Sequence, residues 1–273
     1  MISEDNLVIN GLWIGDELSA MELLTLKSFV GHGHSFHLWV YNELKTPVPK
    51  GVMLKDANTI VERERIFRYK FKNQFGHGIG SLAGFSDLFR YKLLYELGGW
   101  WVDMDVTCLK PFNHPAPYHL RAHHDLNVVG NVMKCPPKSE LMARCYEDAC
   151  KLIDANNRDW HLPIHILNGH IQNLGLSKFI VDGQSPSDQW HRIFPYVHSK
   201  IEIPKEYYFI HWLNEVWRTK NLSKGVAFGN SVYADLLHLY GIPYAQPSLK
   251  YRMLAQTAKI RELVSLWSVK LWR

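Results

Sequence analysis

The chain has 273 residues, 47% of them hydrophobic and 21% charged, with a formal net charge of +5. These values fit one soluble globular domain that buries about three quarters of its unfolded surface without disulfide staples. The modest positive charge suits phosphate-bearing ligands or an anionic surface; it is too modest to argue for a nucleic-acid binder, and no basic arm or nucleic-acid motif accompanies it.

Cys108, Cys135, Cys145 and Cys150 form no CxxC pair, and "MISEDNLVING" has no apolar signal core. No apolar run approaches the ~18 residues of a spanning helix. A cytoplasmic protein is the expectation.

"NLVINGLWIG" reads as an apolar first strand. Ser19 and Glu22 then form a capping box that opens a helix closed by Gly31 and Gly33. "SFHLWVYN" alternates Phe36, Leu38 and Val40 as a second strand, so the chain opens βαβ. "TIVERERIF" (59–67) predicts a charged helix, and "RYKFKNQFGHGIGS" a basic, glycine-rich loop. "GFSDLFRYKLLYELGG" predicts a helix stopped by Gly98 in the left-handed region, leading into the strand "WWVDMDV".

Downstream, "YHLRAHH" and "LNVVGNVM" predict strands, and "SELMARCYEDACKLI" a helix with Leu141, Cys145, Ala149 and Leu152 on one stripe. "YYFIHWL" (207–213) predicts a late strand, and residues from about 254 to 273 a final helix. One α/β domain is expected, without repeats or linkers.

Asp103 and Asp105 stand two apart, so on an extended strand both carboxylates face one side. They repel and raise one another's pKa unless a cation sits beside them. A bare D-x-D is weak evidence, but this pair ends an apolar strand, where α/β sheets place ligand sites. Such a pair suits a hard divalent ion that takes further ligands from a diphosphate; a solvated acidic strand end is the alternative. Deleting either of two repelling carboxylates is expected to spare the fold. Asp87 and Arg90 share a face of the preceding helix, either as a surface ion pair or as a clamp for phosphate and sugar hydroxyl groups.

"SDLFRYKLLYELGGWWVDMDV" resembles the DXD-containing sugar-binding region of glycosyltransferase family 32. That family includes bacterial polysaccharide and lipopolysaccharide glycosyltransferases and is related to the glucosylating domains of large clostridial toxins. Ser86, Asp87, Arg90, Gly98, Gly99, Asp103 and Asp105 match its pattern, and Trp101 replaces the usual Tyr. The segment from Asn10 to Asn42 resembles the family's opening, which implies that Trp13, Ile14 and Gly15 line the nucleotide pocket with Trp13 near a uracil.

"HWLNEVW" resembles the late H-x-W-x-x-S-W segment, whose polar side chain completes the metal shell and whose last Trp contacts the diphosphate. Val216 stands in place of the Ser, so His211 or Asn214 is the candidate third ligand beside Asp103 and Asp105, and Trp217 the diphosphate contact. "LNVVGNVMKCPP" resembles a stretch in which Asn131 faces the donor sugar, whereas "LNGH" departs from the family's T-G-P and leaves Asn168 and His170 without an assigned role. The resemblance spans residues 6 to about 217.

The resemblance thus implies a single-domain, Rossmann-like A-type fold over residues 1–253, with 254–273 as an amphipathic basic helix. It implies a retaining transferase dependent on Mn²⁺ or Mg²⁺, taking a nucleotide sugar (UDP-sugar first) to a glycan or lipid-linked saccharide. The catalytic set is Asp103, Asp105, Arg90 and Asn131; Trp13, Ile14, Gly15, Asp87, Arg90, Trp101, Asp103 and Trp217 bind the donor. A nucleotide-sugar hydrolase or phosphotransferase using the same metal, and a carbohydrate-binding module without activity, are the competing readings. The final helix either packs on the domain or contacts the inner face of a membrane through its basic, apolar face.

Overall fold

A computed structural model describes residues 2–249; the helix expected over 254–273 lies outside the described residues. The chain runs α1 (Glu4–Leu7), β1 (Val8–Trp13), α2 (Ala20–Gly31), β2 (Ser35–Val40), β3 (Val52–Asp56), α3 (Ala83–Leu97), β4 (Gly99–Val102) and β5 (Val106–Cys108). It continues β6 (His119–His123), β7 (Asn127–Cys135), α4 (Glu140–Leu152), α5 (Leu162–Asn173), β8 (Ile180–Val181), α6 (Trp190–His198), β9 (Phe209–His211), α7 (Asn214–Thr219) and α8 (Val232–Leu239).

The capping box forms as expected: Ser19 Oγ accepts from the Met21 amide, and the Ser19 amide donates to Glu22 Oε2 at 2.8 Å. It starts α2 on the crossover between β1 and β2, which pair in parallel from Val8↔Ser35 to Trp13↔Val40.

Seven strands form one sheet in the order β3-β2-β1-β4-β7-β6-β8. Neighbours are parallel except around β7, which runs antiparallel to both β4 and β6. A separate two-stranded ribbon pairs β5 with β9. The strand order reverses direction between β1 and β4, so the loops leaving these two strands diverge and open a crevice at their carboxyl ends.

Helices cover both faces, and the strand period divides the core between them. Trp100 and Trp101 are adjacent on β4 and nearly fully buried on opposite sides. Trp100 packs with Phe29 and Phe36 toward α2, whereas Trp101 packs with Phe89, Met133 and Leu141 toward α3 and α4. A third cluster, with Trp212, Trp217 and Tyr233, joins α6, α7 and α8.

Four sequence expectations are corrected. The stretch 59–67 is not one helix but short 3-10 turns at Ala57–Thr59 and Arg63–Arg65. Its side chains are committed elsewhere: Arg63 donates to the Tyr41 carbonyl at 3.2 Å, and Arg65 to the Tyr146 hydroxyl at 2.6 Å. These long-range ties outweigh the weak helical preference of the segment. The strand carrying the Asp pair stops at Val102, and the late strand spans only Phe209–His211. Leu152, at the end of the α4 stripe, is 55% exposed, while Leu141, Cys145 and Ala149 are buried.

Gly98 ends α3 with φ 65° and ψ −160°, positive in φ as expected but not in the left-handed helical well. A Cβ there would collide with the backbone of Pro137. Gly98→Ala therefore combines backbone strain with overpacking and should cost about 1–3 kcal/mol; urea unfolding should show a lower midpoint, and an unchanged midpoint would refute this account of the turn.

Candidate functional site

The crevice at the carboxyl ends of β1 and β4 is a cavity of about 710 Å³. Trp13 and Ile14 enter it from the end of β1, Asp87, Arg90 and Tyr91 from α3, and Asp103 and Asp105 from the turn after β4. Asn131 of β7, His211 of β9 and Asn214 of α7 complete this side.

The Asp pair lies on a turn, not on extended strand. The Asp103 amide donates to the Asn131 carbonyl at 2.9 Å, and the Val106 amide to the Asp103 carbonyl at 3.2 Å. The argument from alternating strand faces therefore fails, and the turn itself brings the two carboxylates to one cavity. The chain then enters β5, which pairs with β9 at Val106↔His211 and so carries a residue from more than a hundred positions downstream to the pair.

Each carboxylate has its own cation. Arg90 donates through Nη2 to Asp103 Oδ1 at 2.8 Å and contacts Asp87 Oδ1 through Nη1 at 3.0 Å. Its guanidinium lies over the Trp101 ring at 5.3 Å, and the Trp101 indole donates to the same Asp103 Oδ1 at 2.8 Å. Asp105 Oδ2 accepts from the Asn214 backbone amide at 2.7 Å and meets His211 Nε2 at 3.2 Å.

Burial pushes both Asp87 and Asp103 upward. For Asp87, Arg90 opposes the rise and Asp103 adds to it, to about 6. For Asp103, Arg90 again opposes and Asp105 adds. Burial also acts upward on Asp105, but the His211 charge and hydrogen bond, the Asn214 amide and Lys224 outweigh it and leave the carboxyl lowered. His211 is raised to about 10: burial disfavours its charge, but Asp105 and Asp188 on its two nitrogens overcome that.

The structure brings most of the expected site residues together, with different roles for some. Arg90 is a buried clamp on two acids, and no phosphate is needed to satisfy those two nitrogens. Asn214 turns its backbone amide, not its side chain, to Asp105. Gly15 packs on the edge of the Trp13 indole and is not among the residues lining the cavity. Trp217 is fully buried, its indole donating to the Trp212 carbonyl at 2.8 Å, and the structure does not bring it to the cavity. Asn168 holds the Val128 backbone through its side-chain oxygen and nitrogen, which is a structural role.

Among the described residues, no three or more His, Cys, Asp or Glu side chains converge as a ready-made metal ligand set. The contacts above use Oδ1 of Asp103 and Oδ2 of Asp105, leaving one oxygen of each carboxylate without a protein partner among the described residues. Two free carboxylate oxygens facing a phosphate-sized cavity fit Mg²⁺ or Mn²⁺, which retain waters and share ligation with a diphosphate.

Several residues at this site carry no local motif. Asp188 accepts both nitrogens of an Arg121 fork and contacts His211. Lys224 pairs with Glu22 and lies 5.7 Å from the centre of the Trp13 ring. The far wall carries Phe75, His77, Trp160 and His161. The one available signal is Arg121, a charge within a strand pattern, which is 4% exposed.

Asn131 has a defined amide orientation. Arg121 donates to its Oδ1 at 3.0 Å, so its Nδ2, buried and without a partner among the described residues, is the group left for a ligand. Removing one partner of a buried hydrogen bond costs roughly 1–3 kcal/mol. If the cavity takes the nucleotide-sugar donor expected from the sequence, Asn131→Ala should raise the KM for it or lower kcat by about tenfold or more; parent-like kinetics in a folded variant would remove Asn131 from the site.

Residues 27–123 match the family described as "Glycosyltransferase sugar-binding region containing DXD motif". The match takes in Asp87, Arg90, Asp103, Asp105 and Arg121; it begins after Trp13 and stops before Asn131, Asp188 and His211. No curated protein matches the chain.

Among solved structures, PaToxG glycosyltransferase is similar at 12% identity and TM-score 0.40, over 63% of this chain and 75% of that one. A transferase with two cysteines replaced by serine is similar at 10% identity and TM-score 0.39, over 64% of this chain and 87% of that one. Residues 27–123 are similar to a DXD-containing glycosyltransferase sugar-binding region, and the enzyme class this match points to is glycosyltransferase.

Proposed function

We propose that this glycosyltransferase moves a hexosyl group from a nucleoside diphosphate sugar, UDP-sugar first, to a hydroxyl of a glycan or lipid-linked saccharide with retention at the anomeric carbon. Synthesis of bacterial surface polysaccharide or lipopolysaccharide is the setting this reading favours. The observation that carries it is the Asp103–Asp105 turn, clamped by Arg90 and opening into the same cavity as Trp13.

In this reading, Trp13 and Ile14 flank the base, and Asp87 with the Asn131 amide holds hydroxyl groups of the donor. Asp103 and Asp105, with His211 beside them, would hold Mn²⁺ or Mg²⁺. When bound, that ion neutralises charge on the departing nucleoside diphosphate. Arg90 fixes Asp103 in place and adds positive charge near the leaving group. No second carboxylate has been assigned as a nucleophile, so attack by the acceptor hydroxyl on the face the leaving group departs from is the favoured course.

Residues 1–253 are proposed as the transferase domain. The segment 254–273, by its basic and apolar composition, is proposed to bring a cytoplasmic enzyme to the inner face of a membrane. Among the described residues, no helix is long and apolar enough to cross a membrane.

Asp105→Ala should abolish the Mn²⁺-dependent part of UDP binding in calorimetry, since ligand charge largely sets affinity for a hard cation. At Asp103 the alanine variant is the wrong probe. It would leave Arg90 paired with Asp87 alone, so a loss of stability and a loss of metal binding could not be told apart. Asp103→Asn keeps an acceptor for Arg90 and Trp101; it should weaken Mn²⁺-dependent binding less than Asp105→Ala and still stop transfer. Parent-like UDP binding, metal dependence and transfer in both variants would sink the reading.

Trp13→Ala should raise the donor KM about tenfold, because an aromatic–base stack is worth roughly 1–3 kcal/mol. The measurement is steady-state transfer or donor hydrolysis with UDP-sugars, and an unchanged KM in a folded variant would exclude Trp13 from the base site.

A further inference from the structure

Asp188 and Arg121 lie on neither the DXD turn nor the helix before it, yet they connect two groups that face the donor. Arg121 extends from β6 with its side chain 5% exposed, and Asp188, on the loop before α6, has its side chain 8% exposed. Their fork is bidentate, with Nη1 to Oδ2 at 2.6 Å and Nη2 to Oδ1 at 2.8 Å. The guanidinium is also fixed by Ser185 Oγ at 2.8 Å and lies over the Phe209 ring at 5.1 Å.

From this pair two contacts run to the cavity. Arg121 Nη1 donates to Asn131 Oδ1 at 3.0 Å, and Asp188 Oδ1 meets His211 Nδ1 at 3.0 Å. An arginine can only donate, so the Asn131 amide is held with its NH₂ group toward the cavity. A carboxylate can only accept, so Asp188 holds a hydrogen on Nδ1 and turns Nε2 to Asp105, 3.2 Å away; Nε2, which donates to Asp105 in this structure, would give up that hydrogen to coordinate a cation.

We propose that the Arg121–Asp188 pair is a positioning device that sets the hydrogen-bonding polarity of Asn131 and His211 together. It orients one toward the donor sugar and the other toward the divalent cation held with Asp105. This inference rests on the glycosyl-transfer reading above. A tie that merely fastened the 182–188 loop to the sheet would have no need to end on two cavity groups.

The test uses the full chain with Mn²⁺ and UDP, and reads two quantities besides activity. Calorimetry gives the Mn²⁺ affinity in the presence of UDP. Electron spin-echo modulation of bound Mn²⁺ reports the nitrogen of a coordinating imidazole, with His211→Ala identifying that signal.

Asp188→Asn, nearly isosteric, should keep the parent's circular dichroism, weaken Mn²⁺ binding about 10–100-fold and diminish the nitrogen signal. Arg121→Lys keeps the charge but loses the fork; it should raise the donor KM through Asn131 more than it lowers kcat. Either folded variant tests the device if the other fails to fold. A parent protein that binds Mn²⁺ and UDP without a nitrogen signal overturns the inference alone, as do variants with parent affinity, signal and KM. A parent without Mn²⁺-dependent UDP binding overturns the glycosyl-transfer reading and this inference with it.

Discussion

The site depends on one buried cation. Arg90 is 5% exposed, and its guanidinium is held between Asp87 on its own helix and Asp103 on the turn after β4, over the face of Trp101. Removing one partner from such a group leaves a desolvated charge, typically about 3–5 kcal/mol of destabilisation, so the three side chains stand or fall together. The neighbouring backbone is shaped around it: a Cβ at position 130 of β7 would occupy the space of Arg90 Nη1, and Gly130 is what lets the strand pass. Helix α3, β4 and β7 thus meet at a charge, and the Asp turn has little freedom to drift from the crevice.

The two acids of the turn are supported differently, which gives them different chemistry. Asp103 shares Arg90 with Asp87 and is half-buried, and desolvation raises its carboxyl against the pull of Arg90. Asp105 faces His211 and the Asn214 amide, with Lys224 nearby, and its carboxyl is lowered despite burial. A ligand to a hard cation must be ionised, and the more readily ionised member of the pair is Asp105. Under the proposed function, Asp105 would be the member directed at the cation and Asp103 the one anchored to the scaffold.

What the sequence made legible was short in range. Ser19 and Glu22, and Asp87, Arg90 and the Asp pair, lie within spans of about twenty residues, where helix and strand periods fix relative placement. The same local logic misread the Asp103–Asp105 segment as strand, because apolar and β-branched residues flank it on both sides and a two-residue turn has no hydrophobic signature. It misread 59–67 because Arg63 and Arg65 bond to groups far away in the chain. Asp188 was invisible: it sits in a loop without a motif, 67 residues from Arg121 and 23 from His211. Trp217 shows the converse, a residue whose segment suggested a ligand contact but whose indole closes a core hydrogen bond.

The β5–β9 ribbon explains how such distant parts become one site. Val106↔His211 pairing sets His211 beside Asp105, and the Trp212 amide donates to the Asp105 carbonyl at 2.9 Å. Trp212 then donates its indole hydrogen to Thr107 at 2.7 Å and accepts at its carbonyl from Trp217, tying the ribbon to the α6–α8 cluster. The backbone on one side of Asp105 is thus fixed by the central sheet through Asp103 and Asn131, and on the other by the late helices. A shift of either layer would change the spacing between the turn and His211, so the geometry at the carboxylate pair reads the packing of the whole chain. Placing the junction of two layers at the ends of β1 and β4 gives a rigid floor to a cavity whose remaining walls combine helices α3, α5 and α7 with loops, an arrangement in which a fixed charge cluster can hold a flexible ligand.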